Sequence, residues 1–137
     1  MAGLDTNVLV RLLTEDGTVQ AEQVKALIGQ AIARQQTLFI PITVVLELEW
    51  VLRSRYQFDR AMWTESLMAL LTAQEFEFQF EKALDIAVQA YSSSTADFAD
   101  CLHASLCGES GQAPLFTFDA KAAKVEGVGL LGETKNG

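Results

Sequence analysis

Four acidic residues of this chain stand where an apolar pattern is interrupted or stops. Asp5 follows Gly3-Leu4 and precedes the hydrophobic run VLVRLL, and Glu47 breaks the run VVLELEWVL. Asp100 lies between Phe98-Ala99 and Cys101-Leu102, and Asp119 ends the stretch PLFTF. Carboxylates gathered off water repel one another and shift toward their protonated forms unless a cation relieves them. The chain has a single histidine, His103, and Cys101 and Cys107 lack any zinc-ligand spacing, so the donors on offer are oxygens. Such a set suits Mg²⁺ or Mn²⁺, hard ions that keep some of their waters and share the rest of the shell with a phosphate. Structural readings stand beside this one. Asp5 and Asp97 are each placed to cap a helix, acids favour a helix's first turn, and a solvated Glu49 pairs Arg53 at i,i+4. Asp97 precedes Asp100 by three residues, which puts both on one helical face.

The elements that must position these acids are legible in the hydrophobic periodicity. Residues 2–5 read as a short buried strand, and Val8 to Leu13 begins a helix with Thr6 or Asn7 as its cap. Over residues 19–36, Val24, Leu27, Ile28, Ala31 and Ile32 form one apolar helical stripe. Phe39 and Ile40 indicate a second strand, closed by Pro41, which has no N–H to give a central ladder. Helices are expected over 43–55 and 60–73, a short strand over 75–80, and helices over 81–93 and 96–109. Residues 114–118 read as a strand, 120–127 as a short helix, and 128–131 as a terminal strand. Short apolar strands alternating with amphipathic helices predict an α/β class, a three-layer α/β/α arrangement with a mostly parallel central sheet. Ligands bind beyond the carboxyl ends of strands in such sheets, which is where Asp5 and Asp119 fall.

Half of the residues are hydrophobic and a fifth are charged, as in a packed globular unit, and no linker or repeat divides the chain. One domain spanning 1–137 is the expectation. The balance of 18 acidic to 10 basic side chains, net −8, argues against a domain that holds nucleic acid mainly by neutralising phosphates. It leaves room for one whose carboxylates bind cations, because the ion inverts the local field. Both cysteines are expected as buried thiols. With no basic N-terminal region and no apolar run of membrane-spanning length, a cytoplasmic location is expected and no membrane partner.

The stretches GLDTNVLVRLL, FIPITVVLELEWVL, ADFADCLHA and LFTFD, in that order, resemble the motifs of PIN-domain ribonucleases, specifically the toxins of VapC-type toxin–antitoxin pairs. The likeness runs from Gly3 to about Leu131. It implies that Asp5, Glu47, Asp100 and Asp119 are the catalytic acids and hold Mg²⁺ or Mn²⁺, with Asp97 as a further metal-side acid found in part of the family. Thr6, Asn7 and Thr117 match polar neighbours that orient a ligand carboxylate or a water. The family register selects Glu47 over Glu49, since two residues turn an α-helix by about 200°. All four acids are then expected to converge at one edge of the sheet.

The activity implied is metal-assisted hydrolysis of RNA phosphodiester bonds by an endoribonuclease. RNA as substrate rests on the resemblance. The chain offers Arg11, Arg53, Arg55 and Lys121, with Arg60 and Lys124, as a basic rim, and Tyr56, Trp63 and Tyr91 as surfaces on which bases stack. The resemblance also implies a homodimer and a small cognate antitoxin protein. Trp50, Leu52, Met62, Trp63, Leu67 and Leu70 are expected to supply more apolar surface than the core absorbs, and so a face for that partner. Two rival readings differ in class. A phosphatase of the haloacid dehalogenase type needs a second aspartate where Asn7 stands, and a PIN-fold module that binds without cutting is disfavoured by the complete acid quartet.

Overall fold

The computed structural model describes residues 2–15 and 17–132; the remaining residues of the expected 1–137 span lie outside this description. The chain divides into two compact units, Met1–Glu81 and Lys82–Gly137.

In the first unit the elements run β1 (Ala2–Gly3), α1 (Thr6–Thr14), α2 (Val19–Ala33), β2 (Leu38–Ile40), α3 (Ile42–Arg55), α4 (Arg60–Thr72) and β3 (Phe76–Phe78). The strands form one parallel sheet in the order β1-β2-β3, with Gly3 opposite Phe39 and Ile40 opposite Phe78. The Leu4 N–H donates to the Phe39 carbonyl at 2.9 Å and continues the pairing to the threshold of Asp5. Side chains alternate as a pleat requires: Leu38, Ile40, Phe76 and Phe78 are buried, whereas Phe39 and Glu77 face away. β1 differs from expectation, because Ala2 and Gly3 are exposed and only Leu4 is buried. Pro41 ends β2, and its φ of −65° starts α3 directly. Helix starts are fixed by side-chain acceptors, with Thr18 capping α2 from Ala21 N–H and Asp59 capping α4 from Met62 N–H. Leu9, Val10, Ile40, Val45, Leu48, Leu52 and Leu67 are fully buried.

The second unit carries α5 (Glu81–Ser92, beginning at the boundary), α6 (Phe98–Glu109), β4 (Leu115–Thr117), a 3₁₀ turn (Ala122–Lys124) and β5 (Val128–Leu130). β4 and β5 pair in parallel, Phe116 opposite Gly129. A Cβ at Gly129 would stand 3.1 Å from the Phe116 ring, so glycine permits the close pairing there. The core comprises Leu84, Ala87, Val88, Phe98, Cys101 and Leu102, with Tyr91 and Phe98 in edge-to-face contact at 5.6 Å. Cys101 is a buried free thiol, as expected, while Cys107 is only partly buried. The helix expected over 120–127 is three residues of 3₁₀ turn. Among the described residues no helix is long and apolar enough to cross a membrane.

Several apolar and charged side chains lie elsewhere than expected. Leu52, Trp63, Leu67 and Leu70 belong to the core, so of that expected face only Trp50 and Met62 are exposed, with Met68 of α4 exposed as well. Burial of Trp63 and Tyr91 removes both rings from any role in stacking on bases. Glu49 is not solvated. It is 6% exposed, and Arg53 grips it with Nε to Oε2 at 2.8 Å and Nη2 to Oε1 at 3.4 Å. Buried acceptors bonded by a guanidinium are costly to leave unmatched, although the exposure of Arg53 screens the pair. Glu49→Gln is therefore expected to lower unfolding stability by about 1–2 kcal/mol, more than a solvated i,i+4 pair provides. Urea denaturation checks this, and a loss below about 0.5 kcal/mol would return Glu49 to the solvated class.

Candidate active site

Asp5 sits just past β1 and is the N-cap of α1, its Oδ1 accepting from Thr6 N–H at 2.7 Å. The residue after it reaches the other acid of this unit: the buried Thr6 hydroxyl donates to Glu47 Oε1 at 2.5 Å. Glu47 lies in the second turn of α3, which packs on α1. One threonine thus touches both carboxylates, by its backbone and by its side chain. Asp5 and Glu47 are both solvent-exposed, which leaves them open to a ligand. Glu47 and Glu49 diverge as the helix rotation demands, one bonded to Thr6 and the other to Arg53. Asn7 takes no part in this clamp and lines a cavity beside α2 instead.

In the second unit Asp97 occupies the N-cap position of α6 without a side-chain capping bond, and Asp100 lies in the helix's first turn. Asp119 follows β4 by two residues. Its Oδ1 accepts from the backbone N–H groups of Lys121 (2.8 Å) and Ala122 (3.1 Å), and its own N–H donates to Thr117 Oγ1 at 3.0 Å. Both bonds on the carboxylate fall on one oxygen. Asp100 is held above its ordinary value of 3.8 by burial first, then by the charges of Asp119 and Asp97, with His103 acting in the opposite direction. The three acids therefore share one electrostatic neighbourhood.

The basic residues divide by what they already bond. Arg11 donates Nε to Gln20 Oε1 at 2.8 Å and Nη1 to the Tyr56 hydroxyl at 3.5 Å. Arg53 is committed to Glu49. Arg55 and Lys121 are exposed. Among the described residues no group of three His, Cys, Asp or Glu side chains stands in ready metal-holding geometry. The carboxylate oxygens of these acids are donors of the kind a hard divalent cation takes.

Residues 3–128 match the family described as the PIN domain, most of the chain and both units. The chain belongs to the PIN domain family. It is also 24% identical over 122 residues to a VapC ribonuclease of Aquifex aeolicus (strain VF5), covering 89% of this chain and 90% of that protein. The family places the chain in the α/β class with a three-layer α/β/α fold, and all the strand pairs described are parallel, as expected.

The raised carboxyl of Asp100 makes a pH-dependent prediction. The folded PIN chain keeps a proton on Asp100 to higher pH than the unfolded chain does, so folding stability falls as pH rises through that interval. Asp100→Asn removes the penalty. In chelator at pH 7 the variant is expected to melt above the wild type, with the gap closing below about pH 4, where the carboxyl is protonated in both states. Equal or lower melting at pH 7, followed by calorimetry, would contradict the stated burial and repulsion.

Proposed function

We propose that the chain is a Mg²⁺- or Mn²⁺-dependent endoribonuclease, a single nuclease domain over residues 1–137. The observation that carries this reading is Asp100, whose ionisation is made costlier by its burial and by the charges of Asp119 and Asp97, a cost that a bound cation would offset. Asp5, Glu47, Asp100 and Asp119 would hold the ion, with Asp97 nearby. When bound, a divalent ion lowers the pKa of a water and neutralises charge on phosphoryl oxygens. The chain's own groups orient the ligand oxygens. Thr6 fixes Glu47 by its hydroxyl, and the N–H groups of Lys121 and Ala122 hold Asp119 by one oxygen, which directs the other outward. Thr117 steadies the backbone at Asp119. Arg55 and Lys121 are suited to phosphates of an RNA strand.

The relative that is named a VapC ribonuclease supports RNA as the substrate. On the same footing we propose a cytoplasmic toxin, a homodimer, held inactive by a small antitoxin protein. Trp50 and Met62 are exposed apolar side chains available to such a partner.

Purified protein assayed on matched RNA and DNA, with Mg²⁺, Mn²⁺ or EDTA, tests the reading. Cleavage is expected to need the metal, and Asp5→Asn or Asp100→Asn to lower it by orders of magnitude with the fold intact. Groups that act as one unit are non-additive, so the double variant should be little worse than either single one. Full multiplication of the two losses would mean that the clusters act separately. Calorimetric titration of Mn²⁺ should weaken with Glu47→Gln and persist with Glu49→Gln; the reverse outcome would assign the α3 acid to Glu49.

A further inference from the structure

A cavity of about 290 Å³ opens between α1 and α2, beside the turn that Asp5 caps. From α1 it is lined by Asn7, Val8 and Arg11, while Thr6, Leu9 and Val10 are the buried residues of that helix. From α2 come Gln20, Gln23 and Leu27, spaced so that they share one helical side. Leu27 is expected in the core from its periodicity yet is 38% exposed, because it forms a wall of this cavity. The chemistry of the lining is specific. Asn7 and Gln23 each offer a donor and an acceptor, the combination that reads the edge of a nucleobase, and Gln20, whose oxygen accepts from Arg11, adds the donors of its NH₂ group. The Arg11 guanidinium is held in place by Gln20 and Tyr56, a flat cation fit for stacking on a heterocycle. Val8 and Leu27 supply apolar contact, and among the described residues the lining carries no acid. The volume is at the lower limit of small-molecule sites, enough for one planar base.

We propose that this cavity receives the base of a nucleotide adjoining the phosphate handled at Asp5 and Glu47, and thereby sets a sequence preference for cleavage. Its place in the reaction rests on the ribonuclease reading; its affinity for a base does not. Asn7 and Arg11 stand about one helical turn apart, about 6 Å along the axis, so one side of α1 presents to a single nucleotide an amide near the acid and a guanidinium beyond it.

The test is a titration of ¹⁵N-labelled protein in metal-free buffer with each nucleoside 5′-monophosphate and with ribose 5-phosphate. At ligand concentrations up to about 10 mM, binding with a Kd of order 1 mM is near saturation. The side-chain amide resonances of Asn7, Gln20 and Gln23 are expected to shift with at least one nucleotide and not with ribose 5-phosphate. Leu27→Trp, which fills the cavity, should abolish these shifts. On random-sequence RNA, Gln23→Leu should redistribute cleavage positions several-fold. Shifts of equal size with ribose 5-phosphate, or none with any nucleotide, would overturn the proposal. Shifts seen only with a basic amphipathic peptide would likewise overturn it, making the cavity a protein-docking groove. A wild-type protein that cuts no RNA would sink the ribonuclease reading while the titration still decides the cavity.

Discussion

A hydrogen bond from a buried threonine hydroxyl to a carboxylate organises the first unit. Thr6 and Glu47 are 41 residues apart in sequence and are joined at 2.5 Å, while the Thr6 N–H holds Asp5. A bond to an ionised acceptor is shorter and stronger than a neutral one, and it also fixes the acceptor's direction. The parallel pairing of β1 with β2 makes the contact possible. Parallel neighbours finish at the same sheet edge, and each is followed at once by a helix, α1 after β1 and α3 after β2. Those two helices pack together, so the residue just inside one reaches the second turn of the other. Loss of that register by one residue would reverse which side chains of β2 meet the core and would carry the acids apart.

The second unit treats its acids differently while using the same resource, the unsatisfied N–H groups at the start of a helical turn. Asp119 gives one oxygen to the N–H groups of Lys121 and Ala122, as Asp5 gives one to Thr6. Asp97 occupies a cap position without making the bond. A carboxylate has acceptor capacity on both oxygens, so a capping acid is not spent by capping. Structural and functional readings of Asp5 or Asp119 are therefore compatible: the cap fixes the group in place and leaves the acceptor capacity of the second oxygen unspent.

Much of this arrangement was legible in the residue pattern, and the misses have a common cause. The order of helices and strands followed from 3.6- and 2-residue periods, from Pro41 and from the caps, all of which act over a few residues. Exposure depends on which partner a face finds, and periodicity does not carry that. Leu27 and Ile32 continue the stripe of Val24, Ile28 and Ala31 in sequence, yet both lie exposed. Glu49 looked solvated because i,i+4 pairing with Arg53 is common on surfaces; it is buried because the α3 face that carries it also carries Val45, Leu48 and Leu52. Asp5 looked enclosed because its neighbours are apolar, but β1 contributes only two residues and both are exposed. The amide cavity left no mark in the sequence, since Asn7, Gln20 and Gln23 become a group only when α1 and α2 pack.

Charge shows the same limit of counting. The chain's 10 basic side chains suggest a rim for a polyanion, but their value depends on what each one already faces. Arg53 is paired with a buried carboxylate, so its field at a distance is largely cancelled. Arg11 donates to an amide oxygen and to a phenol, which restrict its freedom to move. A guanidinium held by its neighbours has already given up part of the side-chain entropy that binding would otherwise cost. In a protein of net charge −8, where each cation is held shapes the local field more than the total does. The side of α1 that carries Arg11 and the side of α3 that carries Arg53 thus differ in what holds the guanidinium, an amide oxygen and a phenol among its partners in one case and a buried carboxylate in the other.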